Sequence, residues 1–408
     1  MRTYKFRIYP SDSQITILNS TLELCRELYN SMLQQRIYAY RWGKKVNYNS
    51  QQNEIPEIKN TFPEYRNIHS LVIQDVARRL DRGFHNFYRR MKEKRNGKNI
   101  KAGFPRFKSK GRYSSITYTQ SGFRILDNGH VWLSKLGEVR MFMHRSVTGD
   151  IRTVSIKRDS VGGWFITLTV ETGSNPDKSE EAETLQDSQF QPVKPAGIDM
   201  GLKSIITASD GSHMEPPQFL RKSEKKLTRA QRNLSRKRKG SGKGTKARMR
   251  VQKVHRKIQR QRDDYAHRLS RNLVENHDLI TFEDLNIRGM IRNHHLAKSI
   301  EDASWNRIIQ YTMYKAESAG TVVILVNSRN TSRICSKCGN IKHDLKLSDR
   351  IYHCNICGLT MDRDLNAAIN IRNMGLIKIG RGTPEVTPVE IGALPMATLV
   401  VEAGSPLR

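Results

Sequence analysis

A chain of 408 residues with 71 lysines and arginines against 39 aspartates and glutamates carries a formal net charge of +32. An excess of this size calls for a polyanionic partner, nucleic acid first. It argues against a membrane protein, because no apolar run is long enough to span a bilayer and the N-terminus MRTYKFRIYP lacks a signal-peptide core.

Tyr4, Phe6 and Ile8 alternate with Thr3, Lys5 and Arg7, the pattern of a half-buried strand that Pro10 ends. Ser11 with Gln14 reads as a capping box. The helix it starts carries Ile15, Ile17, Leu18, Leu22, Cys25, Leu28, Tyr29 and Met32 at helical spacing, with Cys25 as core filler. A second helix is expected over about Ser70 to Lys94. Leu71, Val72, Val76, Leu80, Phe84 and Phe87 would face a core there, and Arg78, Arg79, Arg82, Arg89, Arg90 and Lys92 solvent or phosphate. Residues 11–112 therefore read as a basic helical region. It closes on GFPRFKSKGR, a loop whose Arg106 and Lys108 alternate with aromatics and are candidate nucleic-acid contacts.

From Ser115 to Glu171 the period shifts toward two, and short strands separated by Gly, Asn and Asp turns suggest a small barrel. The isolated first strand can pair into it, which makes the helices an insertion between residues 1–10 and 113–172. Residues 173–193 are polar and locally acidic, a linker.

Ala196 to Gly211 reads as a hairpin with Asp199 in its first strand. The stretch Arg221 to Arg262 has Glu224 as its only acid and is broken by GSGKGT, which predicts a basic helical hairpin over 219–275. Its charges would repel one another unless phosphates lay across them, so Arg229, Arg232, Arg236 and Arg256 are candidate nucleic-acid contacts. DLITFEDLNI is a short apolar strand ending in Glu283, a helix over about Asp302 to Ala319 follows, and GTVVILV reads as a buried strand.

Four of the five cysteines come next, Cys335 and Cys338 in ICSKCG and Cys354 and Cys357 in CNICG. Paired Cys-x-x-Cys turns at this separation are the spacing of a four-thiolate zinc site in a reducing compartment. The chain passes at once into MDRDLNAAINI. Asp362 stands where an N-cap belongs, and Asp364 shares a helix face with Ala367, Ala368 and Ile371, which permits close packing on a sheet. Hairpin with Asp199, strand with Glu283 and helix with Asp364 is the order of acids in a ribonuclease H-like sheet, where carboxylates hold two Mg²⁺ (or Mn²⁺) ions for phosphodiester chemistry. The tail from residue 377 is rich in Gly, Pro and Thr and is expected to be poorly ordered.

The runs G-I-D-M-G, F-E-D-L, T-S-R-I-C-S-K-C-G, C-N-I-C-G and M-D-R-D-L-N-A-A-I-N-I closely resemble the TnpB family, insertion-sequence-encoded proteins related to type V CRISPR effectors. The likeness covers about residues 1–376 and also takes in Y-K-F-R-I-Y-P-S and G-F-P-R-F-K. It implies an α+β multidomain chain. A helical recognition region (11–112) is inserted in a wedge β-barrel (1–10 and 113–172). A RuvC nuclease domain (194–331 and 360–376) is interrupted by a zinc ribbon (332–359). The implied activity is RNA-guided cutting of double-stranded DNA next to a short adjacent motif, with a guide RNA from the transposon end. The resemblance assigns metal binding to Asp199, Glu283 and Asp364, zinc to Cys335, Cys338, Cys354 and Cys357, and motif reading to Tyr48, Gln74 and Thr119. It places the protein in a prokaryotic cytoplasm at the nucleoid. Two other functions fit parts of the pattern: a DDE-type transposase joining transposon ends, and a guided repressor that binds without cutting.

Overall fold

The computed structural model describes residues 1–171, 191–346 and 348–380. Most of the linker expected over 173–193 and of the tail expected over 377–408 lies outside these residues. The chain is α+β and divides between residues 171 and 191 into two compact units, each built on its own hydrophobic core.

In the first unit β1 (Arg2–Tyr9) buries Tyr4, Phe6 and Ile8 on one face, as its alternation predicts. Then come α1 (Asp12–Arg41), α2 (Tyr48–Asn53), α3 (Ile55–Thr61) and α4 (Ser70–Arg95). Ser11 and Gln14 form the reciprocal capping box at the start of α1. Six strands follow: β2 (Ser115–Tyr118), β3 (Phe123–Ile125), β4 (His130–Leu133), β5 (Gly137–Phe142), β6 (Asp150–Arg158) and β7 (Trp164–Glu171). With β1 they make an antiparallel sheet in the order β2-β6-β7-β1-β5-β4-β3. No ladder joins β2 to β3 among the described residues, so the strands expected to close a barrel form an open sheet. The ring of His69 lies against Tyr118 and Gly122, at the turn where a closing ladder would start.

The helices of this unit have no separate core. Leu18, Leu22, Val72 and Leu80 belong to the same cluster as Phe6, Val131, Ile156 and Leu168. Two expectations are corrected here. Ile17 is exposed, because it points away from the stripe of Leu18, Leu22 and Cys25. Arg79 is a structural group: it pairs with Asp75 at 2.6 Å and donates to the Ser115 carbonyl and the Thr117 hydroxyl, tying α4 to β2.

The second unit is built on β8 (Pro195–Asp199), β9 (Ile206–Ala208), β10 (His213–Met214), β11 (Leu279–Glu283) and β12 (Val322–Val326), in the order β10-β9-β8-β11-β12. The ladders β8–β11 and β11–β12 are parallel, and those of the β8-β9-β10 meander antiparallel. The basic stretch folds as two helices, α5 (Phe219–Ser235) and α6 (Gly242–Asn276), held together by Leu227, Val254 and Ile258. Three helices separate β11 from β12: α7 (Ile287–Met290), α8 (His294–Ala303) and α9 (Trp305–Ala319). The helix expected from Asp302 begins only at Trp305, since Ser304 takes a left-handed conformation (φ 56°) that breaks it from α8. β12, read as a buried strand, is the sheet's edge, and Val322 to Leu325 are only half-buried.

A short hairpin, β13 (Ile351–His353) with β14 (Thr360–Asp362), leads directly into α10 (Arg363–Lys378). This last helix packs across β8, β9, β11 and β12. Its approach is close enough to dictate residue size. A Cβ on Gly197 would lie 2.1 Å from the Ala368 carbonyl oxygen and 2.3 Å from the Arg372 amide, and one on Gly375 would lie 2.0 Å from the Thr281 hydroxyl. Gly197→Ala should therefore destabilise this unit by about 3 kcal/mol, since the obstructing atoms are backbone and cannot rotate away. Denaturant unfolding followed in this unit measures it, and a loss under about 0.5 kcal/mol would show that α10 can lift off the sheet.

Candidate active site

The two parallel strands β8 and β11 share one pattern. In Gly197-Ile198-Asp199 and Thr281-Phe282-Glu283, a small residue, a large apolar one and an acid follow in turn. Successive side chains of a strand point to opposite faces. Ile198 and Phe282 enter the core formed with α6 and α9, while Gly197 and Thr281 meet α10. The acids fall on the α10 face, one step beyond them. Ile198 pairs with Phe282 in the ladder, so Asp199 and Glu283 leave adjacent strands side by side.

Asp364 comes to the same end of the sheet from the first turn of α10. Asp362 is the N-cap, its Oδ1 accepting from the amides of Asp364 (2.8 Å) and Leu365 (3.1 Å). The cap engages Asp362, while Asp364 lies close enough to Asp199 to repel it. Arg363 donates to Asp364 Oδ1 at 3.0 Å. The clustering shows in the proton affinities. Burial raises Asp199 to about 8, with repulsion from Glu283 and then Asp364 adding to it and Arg363 opposing it. Burial also raises Glu283, against a hydrogen bond from Thr331. The three carboxylates are less tightly drawn than the cysteines, which among the described residues are the one group with all ligand atoms within 4.8 Å. Hard divalent ions suit these oxygen donors, because they would offset the mutual repulsion that adds to burial in raising Asp199.

Cys335, Cys338, Cys354 and Cys357 converge, with sulfur pairs at 3.5 Å (Cys335–Cys357) and 3.6 Å (Cys338–Cys354). A tetrahedral zinc with Zn–S near ~2.3 Å needs sulfurs about 3.8 Å apart, so the donor set fits. Tyr352 is fully buried beside the cluster and donates to the Arg333 carbonyl.

Residues whose roles the sequence did not disclose join this cluster to α10. Asn366 Nδ2 and Asn370 Nδ2 both donate to the Ile334 carbonyl, each at 2.7 Å, and Asn366 Oδ1 accepts from the Ser336 amide at 3.0 Å. The signal was present: two asparagines four apart on an Ala-rich buried face need partners.

The candidate nucleic-acid residues divide. Arg229 and Arg232 are exposed on α5, Arg236 is exposed at its C-cap, and Arg106 is exposed in its loop. Arg256 is half-buried on α6. Lys108 is held by its backbone, which exchanges hydrogen bonds with Asn30, while its Nζ lies over the Tyr29 ring. Phe104 packs edge-on to Phe84 and Phe87, and Phe107 is exposed. Tyr48 accepts from Arg78 at 3.5 Å, Gln74 lies one turn earlier on α4 and Thr119 just after β2; no hydrogen bond joins the three.

A mixed five-stranded sheet with acids at the ends of two parallel strands, completed by a helix that a four-cysteine ribbon delivers, defines the class. Residues 171–294 match the OrfB_IS605 family, described as "Probable transposase", and residues 305–371 match the "Cas12f1-like, TNB domain". Residues 1–45 match a "Helix-turn-helix domain", although here they fold as β1 and the single long helix α1. A "Putative RNA-guided DNA endonuclease" of Streptomyces pristinaespiralis is 32% identical over 92% of this chain and 89% of its own length. "Putative RNA-guided DNA endonuclease InsQ" of Escherichia coli (strain K12) is 29% identical over 92% of both chains. "TnpB-like protein L79" of Acanthamoeba polyphaga mimivirus is 30% identical over 44% of this chain and 37% of its own. The chain belongs to the TnpB family.

The raised Asp199 gives a pH signature. Its usual value is 3.8, and in the fold it is raised to about 8, so between these values the folded state holds a proton that the unfolded state has released. Divalent-free protein should lose stability as pH rises from about 4 to about 8, by at most about 1.4 kcal/mol per unit. Asp199→Asn should flatten that slope and be the more stable protein at pH 8. Melting curves across this range in EDTA decide it; an unchanged slope in the variant would show that Asp199 is not the group responsible.

Proposed function

We propose that this protein is an RNA-guided DNA endonuclease, whose single carboxylate site hydrolyses phosphodiesters with divalent metal ions. The observation that carries the reading is the meeting of Asp199, Glu283 and Asp364, from β8, β11 and α10, at one end of the sheet. The sheet order, with two parallel ladders beside an antiparallel meander and a helix laid across, supports a ribonuclease H-like, RuvC-type domain. Magnesium or manganese held there would activate a water and stabilise the leaving oxygen of the cut strand. The chain's own contribution is to hold the acids: strand register sets Asp199 beside Glu283, and the Asp362 cap sets the first turn that carries Asp364.

On the same reading the four thiolates take zinc, which holds the ribbon closed and hands α10 its starting point. The basic face of α5 takes the phosphates of guide RNA or its hybrid with target DNA. The first unit serves as recognition region and wedge, with Tyr48, Gln74 and Thr119 reading a short motif beside the target. The guide comes from the transposon end, and the protein works in the cytoplasm at the nucleoid. No described helix is long and apolar enough to cross a membrane. A transposase joining DNA ends is disfavoured, because the relatives matching nearly the whole chain are named for RNA-guided cutting. A binding-only repressor is disfavoured because all three acids are present.

Protein purified from cells should carry a discrete RNA and cut matched double-stranded DNA only with Mg²⁺ or Mn²⁺. Asp199→Ala should keep the RNA and lose at least about a thousandfold in cutting. Strand-transfer products formed without RNA would overturn this in favour of the transposase. Replacing Arg229, Arg232 and Arg236 together by alanine should lower the slope of log affinity for RNA against log salt by about 2 to 3. A slope equal to the wild type's would remove α5 from the interface.

A further inference from the structure

Thr331 lies in the loop between β12 and the first cysteine turn and is buried. Its hydroxyl donates to Oε1 of Glu283 and also lies 3.2 Å from the Ser328 carbonyl oxygen. Its own carbonyl is held by Asn370 Nδ2 at 2.9 Å. The same amide reaches the Ile334 carbonyl at 2.7 Å, which Asn366 also binds. The next residue, Cys335, belongs to the four-cysteine cluster, and the amide after it, that of Ser336, is held by Asn366. A continuous set of short hydrogen bonds thus runs from the cysteine cluster, through two buried asparagines of α10, to a carboxylate on β11.

From this arrangement we infer that Thr331 is the positioning residue of Glu283 and that the cysteine cluster sets the carboxylate through it. The inference rests on the reading of the three acids as a divalent-metal site. A carboxylate at the end of a buried strand can rotate about its side-chain bonds. A hydroxyl fixed at one oxygen removes that freedom and leaves the other oxygen, and the free lone pairs, for a cation. Threonine suits the task because it donates without adding charge to a site already crowded with anions. The backbone of Thr331 must be still for its hydroxyl to be still, and Asn370 supplies this. The ribbon therefore acts on two of the three acids by separate routes. It reaches Asp364 along the chain through β14, and Glu283 across space through Thr331. Groups that orient a metal-binding carboxylate in this manner typically change metal affinity or activity by about 10- to 100-fold when lost.

The test compares Thr331→Val, which keeps the shape and removes the hydroxyl, with Thr331→Ser, which keeps the hydroxyl. Both are made in the full chain with its bound RNA. Two quantities are read: the Mn²⁺ concentration at half-maximal cutting, and the Mn²⁺ concentration at half-maximal rise in melting temperature without DNA. Thr331→Val should need about 10- to 100-fold more Mn²⁺ in both, with target-DNA binding unchanged, and Thr331→Ser should stay near the wild type. If the valine variant does not fold, Thr331→Ala removes the same hydroxyl without the second methyl and carries the same expectation. Wild-type Mn²⁺ midpoints in the hydroxyl-free protein would overturn the role of Thr331, as would equal losses in Val and Ser. A wild-type protein whose melting does not respond to Mn²⁺ at all would instead sink the metal-site reading, and this inference with it.

Discussion

The contact on which the second unit depends is that of α10 with β8 and β11, where helix backbone touches strand residues with no side chain between. Gly197 is open toward the Ala368 carbonyl and the Arg372 amide, and Gly375 toward Thr281. Such an approach is rare because it forbids a Cβ on the residue at the contact. It brings the first turn of α10 down to the strand ends. Without it Asp364 would stand away from Asp199, and its repulsion, which adds to burial and to that of Glu283, would fade. The close packing also leaves the Thr281 hydroxyl buried without a hydrogen-bond partner, a cost of about 1–3 kcal/mol in a typical interior. The small-large-acid order of both strands answers to this one constraint. Small residues let the helix in, large ones fill the opposite core, and acids follow on the helix side.

The ribbon is secured to that helix by polar rather than apolar means. Its core is small, little more than Cys335, Tyr352 and Cys354 with a few half-buried neighbours. Thiolates closing on a soft ion would supply the missing cohesion, and the hard oxygen site beside it would not compete for that ion. What fixes the ribbon's position is hydrogen bonding from Asn366 and Asn370, together with the Arg363 amide, which donates to the Arg350 carbonyl. Directional bonds of this kind set register where a small apolar patch would permit sliding.

Much of this was legible in the sequence, and the failures have physical causes. The capping box at Ser11, the alternation of β1, the cysteine pairs and the N-cap role of Asp362 are local signals, and each appears in the structure where local chemistry put it. That Asp362 caps the last helix while Asp364 lies within its first turn was readable from the residue types at its start. Position in a sheet is not local. The apolar run of β12 reads the same for a central strand as for an edge, and only its pairing with β11 alone exposes it. The helices of the first unit pack on one another, α1 and α2 on α4, as their helical stripes suggest, but the sharing of that core with the sheet is not a local signal. Thr331 was invisible for a related reason: its partner is far away in the chain.

Charge was the coarsest signal and needed the most revision. A net +32 spread along the chain suggests cations everywhere free to meet phosphate, but many are already engaged. Arg79 ties α4 to β2, and Arg36 pairs with Asp81 and with Gln51. Arg262, inside the basic hairpin itself, is half-buried against Asp302, which also accepts from the Leu220 amide at the start of α5. Asp302 on α8 thus fixes both helices of the hairpin to the unit that carries the acids. Nearby, Lys298 pairs with Glu224 on the exposed side of α5. A basic hairpin anchored by a half-buried carboxylate keeps its remaining arginines in a fixed row. Residues 229 and 232 of α5 and 236 at its C-cap fall on one side, because steps of three and four return to one face of a helix. A row of charges held in this way can follow a phosphate backbone in register, whereas the same number of cations on a loose segment would neutralise it only on average.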